Sequence, residues 1–156
     1  MADMAGGYSR DVPATSSEFE GRLVLDWLEP PEQLILAHLV GLVLSLSLRN
    51  VTDRPLEIRR SRYASVTLLS AGGDAVAAGT DSFLMFGEEA VIGAHDAAEV
   101  PALCRFDHHG SGPGYPSRGS YLMVACLHVG VQRQDSWKFI GGMVVSSPVP
   151  ISLRIR

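Results

Sequence analysis

Two cysteines and five histidines are the residues of this sequence best suited to metal or thiolate chemistry. Cys126-Leu127-His128 sits in a segment that begins Gly119-Ser120-Tyr121, and Cys104 precedes His108 and His109. Blue-copper proteins place Cys, His and Met ligands after such a strand, but the period of a strand argues against that here. If Tyr121, Met123, Ala125 and Leu127 face a core, Cys126 and His128 face the other way, and Met143 lies far beyond a short ligand loop. The spacing from Cys104 to His108 and His109 matches no zinc pattern. A metal-binding or redox domain using Cys104, Cys126 and the histidines therefore stands as the alternative reading, with no metal and no cofactor expected in the leading one.

His108 and His109 also open the most turn-rich stretch of the chain, with Gly110, Gly112 and Gly114 close behind. Glycines permit close backbone approach to a ligand, and loops carry function more often than cores do. GSGPG is not a dinucleotide fingerprint, because Pro113 interrupts it and a strand follows. The only lysine, Lys138, lies in Trp-Lys-Phe, which excludes a phosphate-loop lysine. The sequence holds no G-x-S-x-G, H-E-x-x-H or C-x-x-C, so no enzyme is expected. Arg59, Arg60 and Arg62, with Arg49 and Arg54 near them, make a locally basic segment that could meet an acidic partner through guanidinium forks. Asn50-Val51-Thr52 spells a glycosylation sequon, although a turn explains those residues better.

These side chains must be positioned by strands. The chain has 156 residues, 46% hydrophobic and 19% charged, enough for one domain with a sizeable core. Its formal charge of -4 argues against a general nucleic-acid binder. Leu42, Leu44, Leu46 and Leu48 alternate with Ser45, Ser47 and Arg49, and Val149, Ile151, Leu153 and Ile155 alternate with Ser152 and Arg154. Each run is a strand with one buried face. Further strands are expected at 22–28, 34–40, 56–63, 65–70 and 119–129, the stretch 34–40 being apolar on both parities and hence covered on both sides. Residues 87–100 are the one helical candidate. Pro148 and Pro150 mark an edge or a strand entry. No apolar run reaches the ~20 residues of a spanning helix, no export signal is readable, and residues 1–21 are expected to be a disordered tail before a single domain at 22–156. A cytoplasmic location follows as the expectation.

The stretch LSLSLRNVTDRPLEIRRS resembles the second and third strands of immunoglobulin-like domains, SRGSYLMVACLHV their sixth, and SSPVPISLRI their last. Tyr121 would occupy the tyrosine-corner position, with Met123 where antibody domains carry a disulfide cysteine. The resemblance implies an all-β, immunoglobulin-like antiparallel sandwich. More narrowly, residues 40–130 are similar in order to BsuPI-like intracellular proteinase inhibitors, except that Ala77 and Ala78 stand where a tryptophan segment would follow the turn.

The outer parity of the strand after Gly119 is the anomaly. Leu122, Val124 and Cys126, followed by His128, are apolar where a sandwich shows polar residues to water. The sequence therefore reads as a non-enzymatic protein-binding domain that contacts a protein partner or itself. The residues expected to make that contact are Leu122, Val124, Cys126, His128, His108, His109, Arg59, Arg60 and Arg62.

Overall fold

The computed structural model describes residues 12–37, 41–79, 86–106, 116–133 and 136–155, with backbone alone for 86–88, 131–133 and 136–141. From Gly119 to Arg133 the sequence has no proline and is rich in β-branched and aliphatic residues, so nothing interrupts an extended backbone. It forms one strand of 15 residues. Among the described residues eleven strands run in order: β1 (Leu23–Leu28), β2 (Gln33–Leu36), β3 (Leu42–Asn50), β4 (Leu56–Ser61), β5 (Ala64–Leu69), β6 (Ala75–Ala78), β7 (Phe86–Ile92), β8 (Ala97–Cys104), β9 (Gly119–Arg133), β10 (Ser136–Val145) and β11 (Val149–Ile155). The all-β class holds.

All eleven strands belong to one hydrogen-bonded network, because β9 is long enough to serve two sets of neighbours. Its first half pairs with β5 on one edge and β11 on the other. Its second half pairs with β4 and β10. From β5 the path continues through β8 and β3 to β1, while β7 flanks β4. The expectation of purely antiparallel pairing is corrected at two places, since β11 runs parallel to β2 and β5 parallel to β8. These partners lie far apart in sequence, so no hairpin dictates their direction.

Alternation buries the expected face. Leu46, Leu48, Met123, Ile151 and Leu153 lie in the main core, and Leu44 and Tyr121 pack against it. The Tyr121 hydroxyl donates to the Ser117 carbonyl at 2.6 Å, pinning the entry to β9 to the chain four residues upstream. Pro150 sits at the β11 entry, two residues before pairing with β2 begins, where a missing N–H costs nothing.

Four expectations change. The helical candidate 87–100 is two strands, β7 and β8, separated by a turn at Gly93–Asp96 that Asp96 N closes onto the Gly93 carbonyl at 3.0 Å. Small alanines hid its period of two, with Val100, Ala102 and Cys104 all inside. The stretch 34–40 is not covered on both sides within the chain: β2 has four residues and Ile35 is 46% exposed, while 38–40 lie outside the described residues. Strands β6, β7, β8 and β10 were not anticipated as such. Finally, the tail boundary at residue 21 moves toward the N terminus, because Phe19 is buried in the main core at 3% exposure and Ser16 bonds to β10.

The β3–β4 and β7–β8 turns are tied together by Asn50, which is fully buried. Its Nδ2 donates to the carbonyls of Arg54 (2.7 Å), Ile92 (3.0 Å) and Gly93 (3.1 Å). Its Oδ1 accepts from Thr52 N and Thr52 Oγ1. Sequon or not, the residues of Asn50-Val51-Thr52 are engaged as a turn. At the surface His95 and Asp53 meet at 2.7 Å across the same two turns, an exposed pair of little energetic weight. Replacing Asn50 with alanine strands the buried Ile92 carbonyl and the part-buried carbonyls of Arg54 and Gly93 at once. We expect Asn50→Ala to cost about 2–4 kcal/mol, each unmet buried group contributing about 1–3 kcal/mol less whatever water recovers. Urea unfolding should show a lower midpoint at an unchanged slope.

Candidate interaction surface

Because cross-strand partners share a face, the register of the sheet determines which residues gather on the side turned away from the main core. One row crosses five strands. Val43 on β3 stands opposite Leu103 on β8, Leu103 beside Ser65 on β5, Ser65 opposite Cys126 on β9, and Cys126 opposite Val145 on β10. A neighbouring row joins Leu28, Ser45 and Pro101. On the other side Thr67 faces Val124, and Leu69 faces Leu122. None of these side chains carries charge. Charges flank the field instead, with Asp26, Ser47 and Glu99 in register on one side and Arg154 beside Ile35 on the other.

Burial divides this field. Val124 (3% exposed) and Cys126 (4%) are buried within the chain itself. Val124 forms a small second cluster with Leu69 and Ala75, against which Leu122 and Val145 pack. At the other end Val43 is 62% and Leu28 41% exposed, with Leu103 half-buried between β3 and β5. The apolar outer parity of β9 is thus buried at its centre, where Val124 clusters with Leu69, Ala75, Leu122 and Val145. The exposed continuation lies on β3 and β1. Leu28, Val43 and Leu103 were missed in the sequence, although Val43 was legible: it is the one apolar residue among the otherwise polar odd positions of the 42–49 run.

The other expected residues do not join this field. His128, half-buried, follows Cys126 on the same parity, opposite Met143. His108 and His109 lie outside the described residues. The arginines point to separate tasks. Arg59 Nε lies 3.6 Å from Glu89 Oε1 across the β4–β7 pair. Between Arg60 and Ser65 four residues stand opposite only two on β9, and Arg60 Nη1 donates to the carbonyls of Ser61 and Arg62 in that bulge, at 3.1 Å each. Arg62 lies over the Tyr63 ring at 5.9 Å. Three guanidinium groups so occupied do not converge on one anion.

Neither cysteine is bridged, and the two face opposite sides of the sheet. Cys104 is in the main core, where burial pushes its thiol up to about 12. Among the described residues no three His, Cys, Asp or Glu side chains gather as a metal would require. A raised folded-state value means that Cys104 favours the folded state fully below the ordinary thiol range near 9, and that this contribution is lost as pH rises toward 12.

No family model matches the chain, and no curated protein matches it. Among solved structures it is similar to the Pseudomonas fluorescens alkylpurine DNA glycosylase AlkC bound to DNA containing an abasic site analog, at 12% identity and a TM-score of 0.42. That match covers 86% of this chain but 31% of the other, so the chain spans about a third of its length. It is also similar to PapD-like domain 7 of human CEP192, at 10% identity and a TM-score of 0.35, covering 87% of this chain and 86% of that one. A third match is the Salmonella enterica SafA pilin in complex with the SafB chaperone, at 11% identity and a TM-score of 0.32, covering 85% and 54%. At these levels none of the three assigns a function here. The resemblance to BsuPI-like inhibitors finds no counterpart among them.

Two outcomes test this geometry. Val124→Lys places an ammonium in the cluster with Leu69 and Ala75, losing ~1.5–3 kcal/mol of aliphatic burial and adding the desolvation of a charge. The melting temperature should fall while the sedimentation coefficient stays unchanged. In the native protein at pH 8, Cys104 should resist iodoacetamide because its thiolate is scarce. After denaturation without reductant, mass spectrometry should find both cysteines alkylated.

Proposed function

We propose that this chain is a non-enzymatic protein-interaction domain, built as an immunoglobulin-like sandwich, whose outer face around Val43, Leu103 and Leu28 receives the partner. The observation that carries this reading is an uncharged field in which Val43 is mostly in water and Leu28 is exposed beside it, with charges at its margins. An apolar centre inside a charged rim is how protein contacts are commonly organised. The sandwich is supported by the alternating core, by strands that break in the middle while β9 runs on, and by the Tyr121 hydroxyl bonded back to Ser117. Two cysteines that form no disulfide, one deep in the core, fit a reducing compartment and hence a cytoplasmic location. Inhibition of a proteinase is the narrower form of the same reading.

The test compares wild type with Val43→Asp, a change at an exposed position that leaves the core intact. In sedimentation and in pull-downs from the native host, wild type should associate with itself or with a defined protein. Val43→Asp should lose that association by at least tenfold, about 1.4 kcal/mol, with its melting temperature unchanged. Equal association by both chains would move the contact away from this face. A panel of proteinases assayed with both chains separates the inhibitor form from simple binding.

A further inference from the structure

The edge of β10 that faces away from β9 is closed by the chain's own N-terminal segment. Ser16 N donates to the Met143 carbonyl at 2.9 Å, Met143 N donates to Ser16 Oγ at 2.9 Å, and Val145 N donates to Thr15 Oγ1 at 3.0 Å. A true neighbouring strand would offer backbone carbonyls to the N–H groups of Met143 and Val145. Here two of the three bonds end on side-chain hydroxyls, so residues 15 and 16 occupy the edge without continuing the ladder. The chain then turns, Phe19 N bonding to the Ser16 carbonyl at 2.9 Å, and the Phe19 ring enters the main core. It fits because residue 142 has no side chain. A Cβ on Gly142 would run into the Phe19 ring and stand 2.8 Å from the Val129 carbonyl. Beyond the ring the segment rejoins β1 at Gly21, whose φ of +74 suits glycine and whose missing side chain would meet nothing within 4 Å.

The contact therefore has the parts of a peptide site. It has an edge that accepts two adjacent hydroxyls, a hollow that accepts an aromatic ring three positions later, and a glycine at the turn that leads to β1. The strand pairings of β1 to β11 do not use the segment. We propose that the β10 edge and the hollow above Gly142 form a self-recognition socket, which holds residues 13–20 of its own chain and accepts the same segment from a second copy in its place. This goes beyond the outer face around Val43 and is tested independently of it. Exchange preserves the contacts to β10 and Gly142 and requires that the chain swing at Gly21, giving up the bonds from Arg22 N and Leu23 N to the Phe19 carbonyl.

The probe is a fluorescein-labelled peptide of residues 12–22 added to the full chain and followed by anisotropy. In wild type the tethered segment competes at an effective concentration on the order of millimolar, so the peptide should bind weakly. Phe19→Ala empties the hollow, and Ser16→Pro removes the donor to Met143 while sparing the ring. Each variant, folded by circular dichroism, should bind the peptide at least tenfold more tightly than wild type. A peptide carrying alanine in place of its phenylalanine should lose that gain, as should adding Gly142→Leu to Ser16→Pro. Folded variants that bind no better than wild type overturn the proposal, and so does binding that ignores the peptide's phenylalanine. If Phe19→Ala unfolds the chain, Ser16→Pro decides. Should both unfold, the segment is an integral part of the core and no exchangeable socket exists.

Discussion

The fold depends on one long strand that is hydrogen-bonded on both edges through its middle, from Leu122 to Val131. A 15-residue strand through the middle of a small domain exposes donors and acceptors on two sides, and each left unmet inside costs as much as a lost hydrogen bond. The flanks, however, must break if they are to serve two directions. On one side β4 and β5 are separated by a bulge, and on the other β10 and β11 are separated at 146–148. Buried hydroxyl residues sit at both breaks. Ser146 donates its own N–H to the Ala125 carbonyl and accepts Ala125 N on its Oγ at 2.8 Å, so Ala125 remains fully paired where no strand residue reaches it. Ser61 donates its hydroxyl to the Tyr63 carbonyl at 3.0 Å, while Arg60 serves the carbonyls beside it. The same Arg60 looks like part of an anion site in sequence and is occupied by backbone in the structure.

Satisfying β9 on both edges is what allows it to be apolar on both faces. Met123, Ala125, Leu127 and Val129 enter the main core, and Val124 with Cys126 is buried on the reverse side. The two cysteines consequently sit in separate environments. Neither the bridge that a sandwich domain often carries nor a shared metal site is compatible with residues on opposite faces of the sheet. Stability must come from packing, which a chain of this length can supply without covalent help.

How much of this was legible in the sequence follows from side-chain size and contrast. Where large aliphatics alternate with serine or arginine, as in 42–49 and 149–155, the period of two fixes both the strand and its buried face. The turn signals at Asn50-Val51-Thr52 and Gly72-Gly73-Asp74 are local and legible too, whereas the bonds from Asn50 to Ile92 and Gly93 are not. Residues 87–100 read as a weak helix because alanine and glutamate favour helix and give little contrast between faces, whereas pairing with β4 and β3 imposes extension. The N-terminal segment was illegible for a different reason. Its composition is that of a tail, and what docks it is a single phenylalanine meeting a glycine more than a hundred residues away. The surface itself was half legible: the parity of β9 revealed an apolar outer face, but only the register of β3 against β8 shows that the exposed end lies at Val43.

The edges of the sheet bear on where association can occur. An unpaired strand edge is a template for further strands, and proteins blunt it with short strands, charge or proline. Strand β2 has only four residues and follows Pro30 and Pro31. Strand β7 carries Glu88 and Glu89 in sequence, with Glu89 held toward Arg59 on β4. The β10 edge is closed by hydroxyls of the chain's own segment. In the resting chain these devices discourage addition of a foreign strand at three edges. Around Val43 the face presents Leu103, Ser45 and Pro101, none of them charged, with the Arg105 side chain beside Leu103. Contact through side chains on that face is therefore the route that the architecture leaves least defended.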